Sequence, residues 1–176
     1  MRKKAFTLIE VMVVITVIGL VVPTLFYMIF SILLQQVKIY RLSEVKRQGD
    51  FALTVMLGTI RNSGVSIYDS TNSTEICKDA GDTGDADYFH DAYDNWFRFY
   101  INNNKISSGS AVPGATTDLT RSNVVISNFT MTCNRTATFS APIVEVKFTI
   151  TAGDGSSRAE EKASLTYQTR VKLRNY

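Results

Sequence analysis

Residues 6–34 read FTLIEVMVVITVIGLVVPTLFYMIFSILL, an almost unbroken apolar run. About 20 such residues span a bilayer as a helix, so this run constrains the architecture more than any other feature. Arg2, Lys3 and Lys4 flank it on the N-terminal side. They predict that this end stays in the cytoplasm and that the rest of the chain lies outside. One residue is out of character. Glu10 sits inside the run, and a carboxylate in hydrocarbon costs roughly 2 kcal/mol or more. A secretory signal peptide fits badly, because its apolar core spans roughly 7–15 residues and this run is about twice that. A plain signal anchor accounts for the length and the charges but gives Glu10 no role.

The stretch Lys3-Lys4-Ala5-Phe6-Thr7-Leu8-Ile9-Glu10-Val11 resembles the cleavage and methylation motif of type IV prepilins and pseudopilins. The resemblance implies that prepilin peptidase cuts between Ala5 and Phe6 and N-methylates Phe6. The family usually has glycine before the cut, where this chain has Ala5. It implies three regions: a leader at 1–5, a transmembrane and assembly half-helix at 6–34, and an extracytoplasmic α+β domain at 35–176. It also implies partners, namely other pilins or pseudopilins, the peptidase, the inner-membrane assembly platform and the membrane itself. Glu10 then acquires a function. Cleavage leaves a free ammonium on Phe6 at membrane depth, and an opposite charge packed against it in low dielectric neutralises it. Phe6 and Glu10 are spaced i and i+4 within one helix. In the family, the pairing that matters is between Glu10 of an incoming subunit and the Phe6 terminus of the subunit ahead, which fixes the axial register of a helical filament.

The rest of the chain agrees with an exported structural protein. Of 19 Lys and Arg against 16 Asp and Glu, three basic residues are Arg2, Lys3 and Lys4, so the net charge of +3 belongs to the N-terminal flank. A nucleic-acid-binding protein needs a basic patch on its folded part, and no Lys/Arg run interleaved with aromatics occurs later in the chain. The two cysteines, Cys77 and Cys133, have no CxxC spacing and only His90 to join them, which argues against zinc. In an oxidising compartment they predict a disulfide. Two buried free thiols are the alternative.

Helical periodicity continues past the apolar run, with Leu42, Val45, the 51–55 stretch, Met56 and Ile60 at helical spacing and Gly64 as a stop. One helix over about residues 6–62 is predicted, kinked at Pro23. Residues 65–95 are dense in Asp, Gly, Asn and Ser and read as a long loop. Phe97, Phe99 and Ile101 alternate on a strand that ends at Asn102-Asn103-Asn104. A second polar stretch follows, then a strand at 124–133. Residues 143–150 and 164–173 alternate strictly and predict a half-buried antiparallel hairpin. The expected whole is an α+β, type IV pilin-like fold, with a long N-terminal helix on a small antiparallel sheet.

Two candidate sites are weaker. His90 lies among Asp87, Asp91 and Asp94 without a GxSxG or comparable context, and reads as a solvated loop histidine. Asp79, Asp82, Asp85 and Asp87 with intervening glycines suit calcium in composition but lack EF-hand spacing; a solvated acidic loop is the other reading. No catalytic constellation is evident, so a structural subunit rather than an enzyme is expected. The long polar loops and the C-terminal hairpin look similar to minor pilins and minor pseudopilins. The rival reading is a signal-anchored extracytoplasmic binding module that never polymerises.

Overall fold

The computed structural model describes residues 7–153 and 162–174. Helix α1 spans Leu8–Ser63 and includes Pro23, so the expected helix is present over the described residues. It ends where Gly64 leaves helical geometry, with the Gly64 N–H still donating to the Ile60 carbonyl at 3.0 Å.

The two halves of α1 differ in what they touch. Leu8, Leu20, Phe26 and Phe30 are all more than half exposed, although such side chains favour burial by roughly 1.5–3 kcal/mol each. From Val45 onward one face is buried: Val45, Gln48, Gly49, Ala52, Met56 and Ile60. Steps of three and four residues place these on a single stripe. Phe51 falls off that stripe and is 55% exposed.

The head contains two antiparallel sheets rather than the one small sheet expected. The four-stranded sheet has the order β10-β9-β8-β3, formed by Ala163–Lys172, Ile143–Ala152, Val124–Asn134 and Thr83–Asp85. Its β9–β10 hairpin has the predicted pattern. Val144, Val146, Phe148 and Ile150 are wholly buried and pair with Val171, Thr169, Tyr167 and Leu165. β8 carries an irregularity between Ser127 and Thr130, where Asn128 takes a positive φ of 51°. That extra residue turns Phe129 toward Phe148.

The six-stranded sheet has the order β2-β1-β4-β5-β6-β7. β5, Trp96–Asn102, and β6, Lys105–Ser110, form a hairpin whose turn residues Asn103 and Asn104 both have positive φ, the backbone a tight hairpin turn needs. Phe99 is buried and Phe97 partly so, but Ile101 at the hairpin end is 40% exposed. β6 and β7, Thr116–Asp118, occupy the second polar stretch.

The expected long loop at 65–95 is instead built from strands. β1, Ser66–Tyr68, β2, Glu75–Ile76, β3 and β4, Tyr88–His90, all lie within it. Each has only two or three residues, too short to show alternation, and their burial rests on single side chains such as Ile67 and Phe89.

Helix and hairpin meet most closely at Gly49. A Cβ placed there would lie 2.3 Å from the Tyr167 ring. That ring stacks on Phe148 with centroids 5.1 Å apart, and its hydroxyl donates to Asp50 Oδ1 at 2.9 Å and to the Lys46 carbonyl at 3.2 Å. Burial, with the Asp50 hydrogen bond, pushes the Tyr167 phenol up to about 12, so it remains a donor at physiological pH. Gly49→Ala should therefore destabilise the head. Overpacking costs typically 1–3 kcal/mol and outweighs the helix-propensity gain of about 1 kcal/mol. Thermal unfolding of the two proteins measures the difference, and a raised melting temperature for Gly49→Ala would contradict this contact.

Candidate assembly stem and its anchorage in the head

Thr7 and Glu10 begin α1 as a reciprocal capping box. The Glu10 N–H donates to Thr7 Oγ1 at 3.4 Å, and the Thr7 N–H donates to Glu10 Oε2 at 3.0 Å. The Thr7 hydroxyl donates to the same carboxylate oxygen at 3.1 Å. The T-x-x-E pattern of this cap is a sequence signal that the reading of Glu10 as a charge alone leaves out. The carboxylate has hydrogen-bond donors but, among the described residues, no cation. Ala5 and Phe6, the expected cleavage and methylation positions, lie outside the described residues, as does the whole leader at 1–5. The Glu10 carboxylate is thus hydrogen-bonded to Thr7, the residue next to the expected new terminus.

Beyond this cap the apolar stem continues, and its most apolar 18-residue stretch has no buried residue. Length and composition suit a membrane span, or a bundle of similar stems.

The stem becomes part of the head at Glu44 and Gln48. The buried Gln48 side chain donates to Glu44 Oε1 at 2.6 Å and to Asn123 Oδ1 at 2.7 Å, and accepts from the Arg121 N–H at 2.8 Å. Asn123 also donates to Glu44 at 3.2 Å, and Arg47 caps the same carboxylate. Hydrogen bonds from Gln48 and then Asn123 hold the Glu44 carboxyl below its ordinary value. This clamp joins residues more than 70 positions apart, and no local pattern in the sequence announces it.

Elsewhere in the head, Cys77 and Cys133 form the predicted disulfide. Both are buried. The bond ties the segment just after β2 to β8. Beside it, buried Arg135 donates to the backbone carbonyls of Lys78, Ala137 and Thr138. Its own N–H and carbonyl engage Asp82 O at 3.0 Å and Gly81 N at 2.7 Å.

These staples place the four aspartates, and they do not converge. Asp82 turns its carboxylate to the Asp79 N–H at 3.0 Å. Asp85 lies on exposed edge strand β3, and Asp87 follows Ala86 at the start of the run into β4. Burial pushes the Asp87 carboxyl above its ordinary value, and the charge of Asp85 adds to this. Among the described residues no three His, Cys, Asp or Glu side chains form a metal-holding group. Asp79, Asp82, Asp85 and Asp87, the residues expected to suit calcium, are thus spread along the turn and the strand rather than gathered as one carboxylate group among the described residues. Calcium needs several converging oxygens, and one of these carboxylates is already used as a turn cap.

His90 also differs from expectation. It is buried on β4 rather than solvated in a loop. Its Nδ1 lies 2.6 Å from Asp94 Oδ1 and its Nε2 lies 2.8 Å from Asn72 Oδ1. The ring stacks on Tyr68 with centroids 4.2 Å apart. These contacts pin two turns to the six-stranded sheet and account for both ring nitrogens structurally.

Comparison with known proteins returns one family match, the prokaryotic N-terminal methylation motif, at residues 1–22. Neither curated protein sequences nor solved structures give a match. The matched stretch contains Ala5, Phe6 and Glu10, and it runs into the exposed half of α1. The match shares the N-terminal part of the chain with the cap and the unburied stem, and residues 1–22 carry the type IV prepilin signature.

Proposed function

We propose that this chain is a minor subunit of a type IV pilus-like filament or of a type II secretion pseudopilus. It is held in the cytoplasmic membrane as a single-pass protein with its head outside. Prepilin peptidase removes residues 1–5 and methylates Phe6, and the assembly platform then extracts the subunit into a bundle of stems. The observation that carries this reading is the continuity of α1. One helix bears a wholly unburied apolar half and a half locked into a disulfide-bonded head. Burying that apolar surface among other stems replaces lipid, while the head sets the spacing. On this reading Glu10 meets the N-terminal ammonium of a subunit ahead of it, so the chain sits behind at least one other. The calcium reading supplies no part of this proposal.

Shearing of intact cells tests it. The chain should appear in the sheared filament fraction when the peptidase is active and stay with the membrane when it is not. A chain that remains in the membrane in both strains would instead be an anchored binding module.

A further inference from the structure

Acidic residues are concentrated in one segment of the head. Residues 69–94 hold Asp69, Glu75, Asp79, Asp82, Asp85, Asp87, Asp91 and Asp94 against the single Lys78. Three of them mark β3, one edge of the four-stranded sheet: Asp85 lies on it and Asp79 and Asp82 form the turn just before it. β10 forms the opposite edge. Three strand spacings, about 14 Å in all, separate them.

The β10 edge is basic. Arg170, Lys172 and Arg174 are exposed along and just beyond it. Arg61 of α1 joins Arg170 and Arg174 in lining a groove of about 480 Å³ between helix and strand. Arg170 is paired with Glu145 at 2.7 Å, but among the described residues Arg61, Lys172 and Arg174 have no ion-pair partner. β10 is also the one long edge strand described. β2, β3 and β7 have two or three residues each, whereas β10 has ten. A long open edge without proline or a bulge invites a neighbour.

We infer that the basic β10 groove of one subunit receives the acidic β3 edge of a second copy of this chain. The two edges lie across the sheet from each other, so they meet only between molecules. Such a contact is heterologous, one surface against a different one, and repeats from copy to copy, the kind of contact an open helical array uses, rather than pairing two copies through one shared patch. It deepens the filament reading by giving the heads a neighbour as well as the stems, and it places at least two copies of this minor subunit side by side.

The test uses the full-length chain in a mild detergent, followed by sedimentation equilibrium. Arg61→Glu with Arg174→Glu makes both edges acidic. Asp79→Lys with Asp85→Lys makes both edges basic, and none of these four side chains is a cap, a core residue or a disulfide partner. The wild type should self-associate at about 0.05 M salt and lose at least about tenfold of that affinity at about 0.5 M, as screening shortens the reach of the charges. Each double variant alone should lose it at low salt, and an equimolar mixture of the two should regain it. That regain also shows that both variants are folded. Unchanged association of either variant, a mixture that stays apart, or a wild type that does not associate at low salt would overturn the inference. Filament entry is read separately, by shearing. A wild type retained in the membrane yet showing the charge-swap pattern would keep this contact and remove the filament reading. Filament entry with no charge-swap pattern would do the reverse.

Discussion

Glu10→Val should enter sheared filaments at about one-hundredth of the wild-type level while remaining stably in the membrane. The substitution removes a charge from an apolar run, which favours the membrane-resident state. What it removes from the filament is larger. An N-terminal ammonium left without its carboxylate in low dielectric costs several kcal/mol, and about 3 kcal/mol corresponds to a hundredfold. The capping box adds a refinement. Glu10 accepts from the Thr7 N–H and hydroxyl in the isolated chain, so Val also removes a helix cap, worth about 1 kcal/mol. Glu10→Gln separates the two roles, since its amide oxygen can accept the same hydrogen bonds without the charge. If charge directs assembly, Glu10→Gln fails nearly as badly as Glu10→Val. If the cap suffices, Glu10→Gln assembles normally. The readout is the ratio of sheared to membrane-retained protein for the three chains.

The second large effect concerns the head. Replacing Cys77 and Cys133 together by serine should lower its stability by roughly 4 kcal/mol, the chain-entropy value for a loop of this length, given their sequence separation of 56. For a chain of this size that is a fall of about 10 °C in melting temperature. The loss should centre on β2, β3 and the Asp-rich turn, which the bond and Arg135 hold against β8. Reduction of the wild type should reproduce it. A melting temperature within about 2 °C of the oxidised wild type would mean that Arg135 and the short strands hold this end without the bond.

Those short strands also mark where sequence reading stopped. The long helix and the β9–β10 hairpin were legible because each repeats its period many times. Val144 to Ile150 and Leu165 to Leu173 state their inward face in the pattern alone, and the observed pairs join those two faces. Glu10 was legible because a carboxylate in an apolar run demands a reason. Residues 65–95 were not. A strand of two or three residues offers no period, and Ile67 and Phe89 are buried by neighbours distant in sequence. The same holds for His90. Its partner Asn72 sits on a turn whose approach depends on β1 pairing with β4. The Asp-rich turn left two readings open, calcium or a solvated acidic loop. Its composition suits an ion, but composition does not aim oxygens, and Asp82 is spent on the Asp79 N–H. The Gln48 clamp and the Gly49–Tyr167 contact are tertiary, and nothing local encodes them.

The central claim is that the chain is a processed prepilin-type subunit, and the mass of its mature N-terminus tests that most directly. Protein purified from cells with active prepilin peptidase should begin at Phe6, with one methyl group on its amine and residues 1–5 absent. A terminus still at Met1 in those cells would contradict the account, because without the cut no ammonium exists for Glu10 to meet.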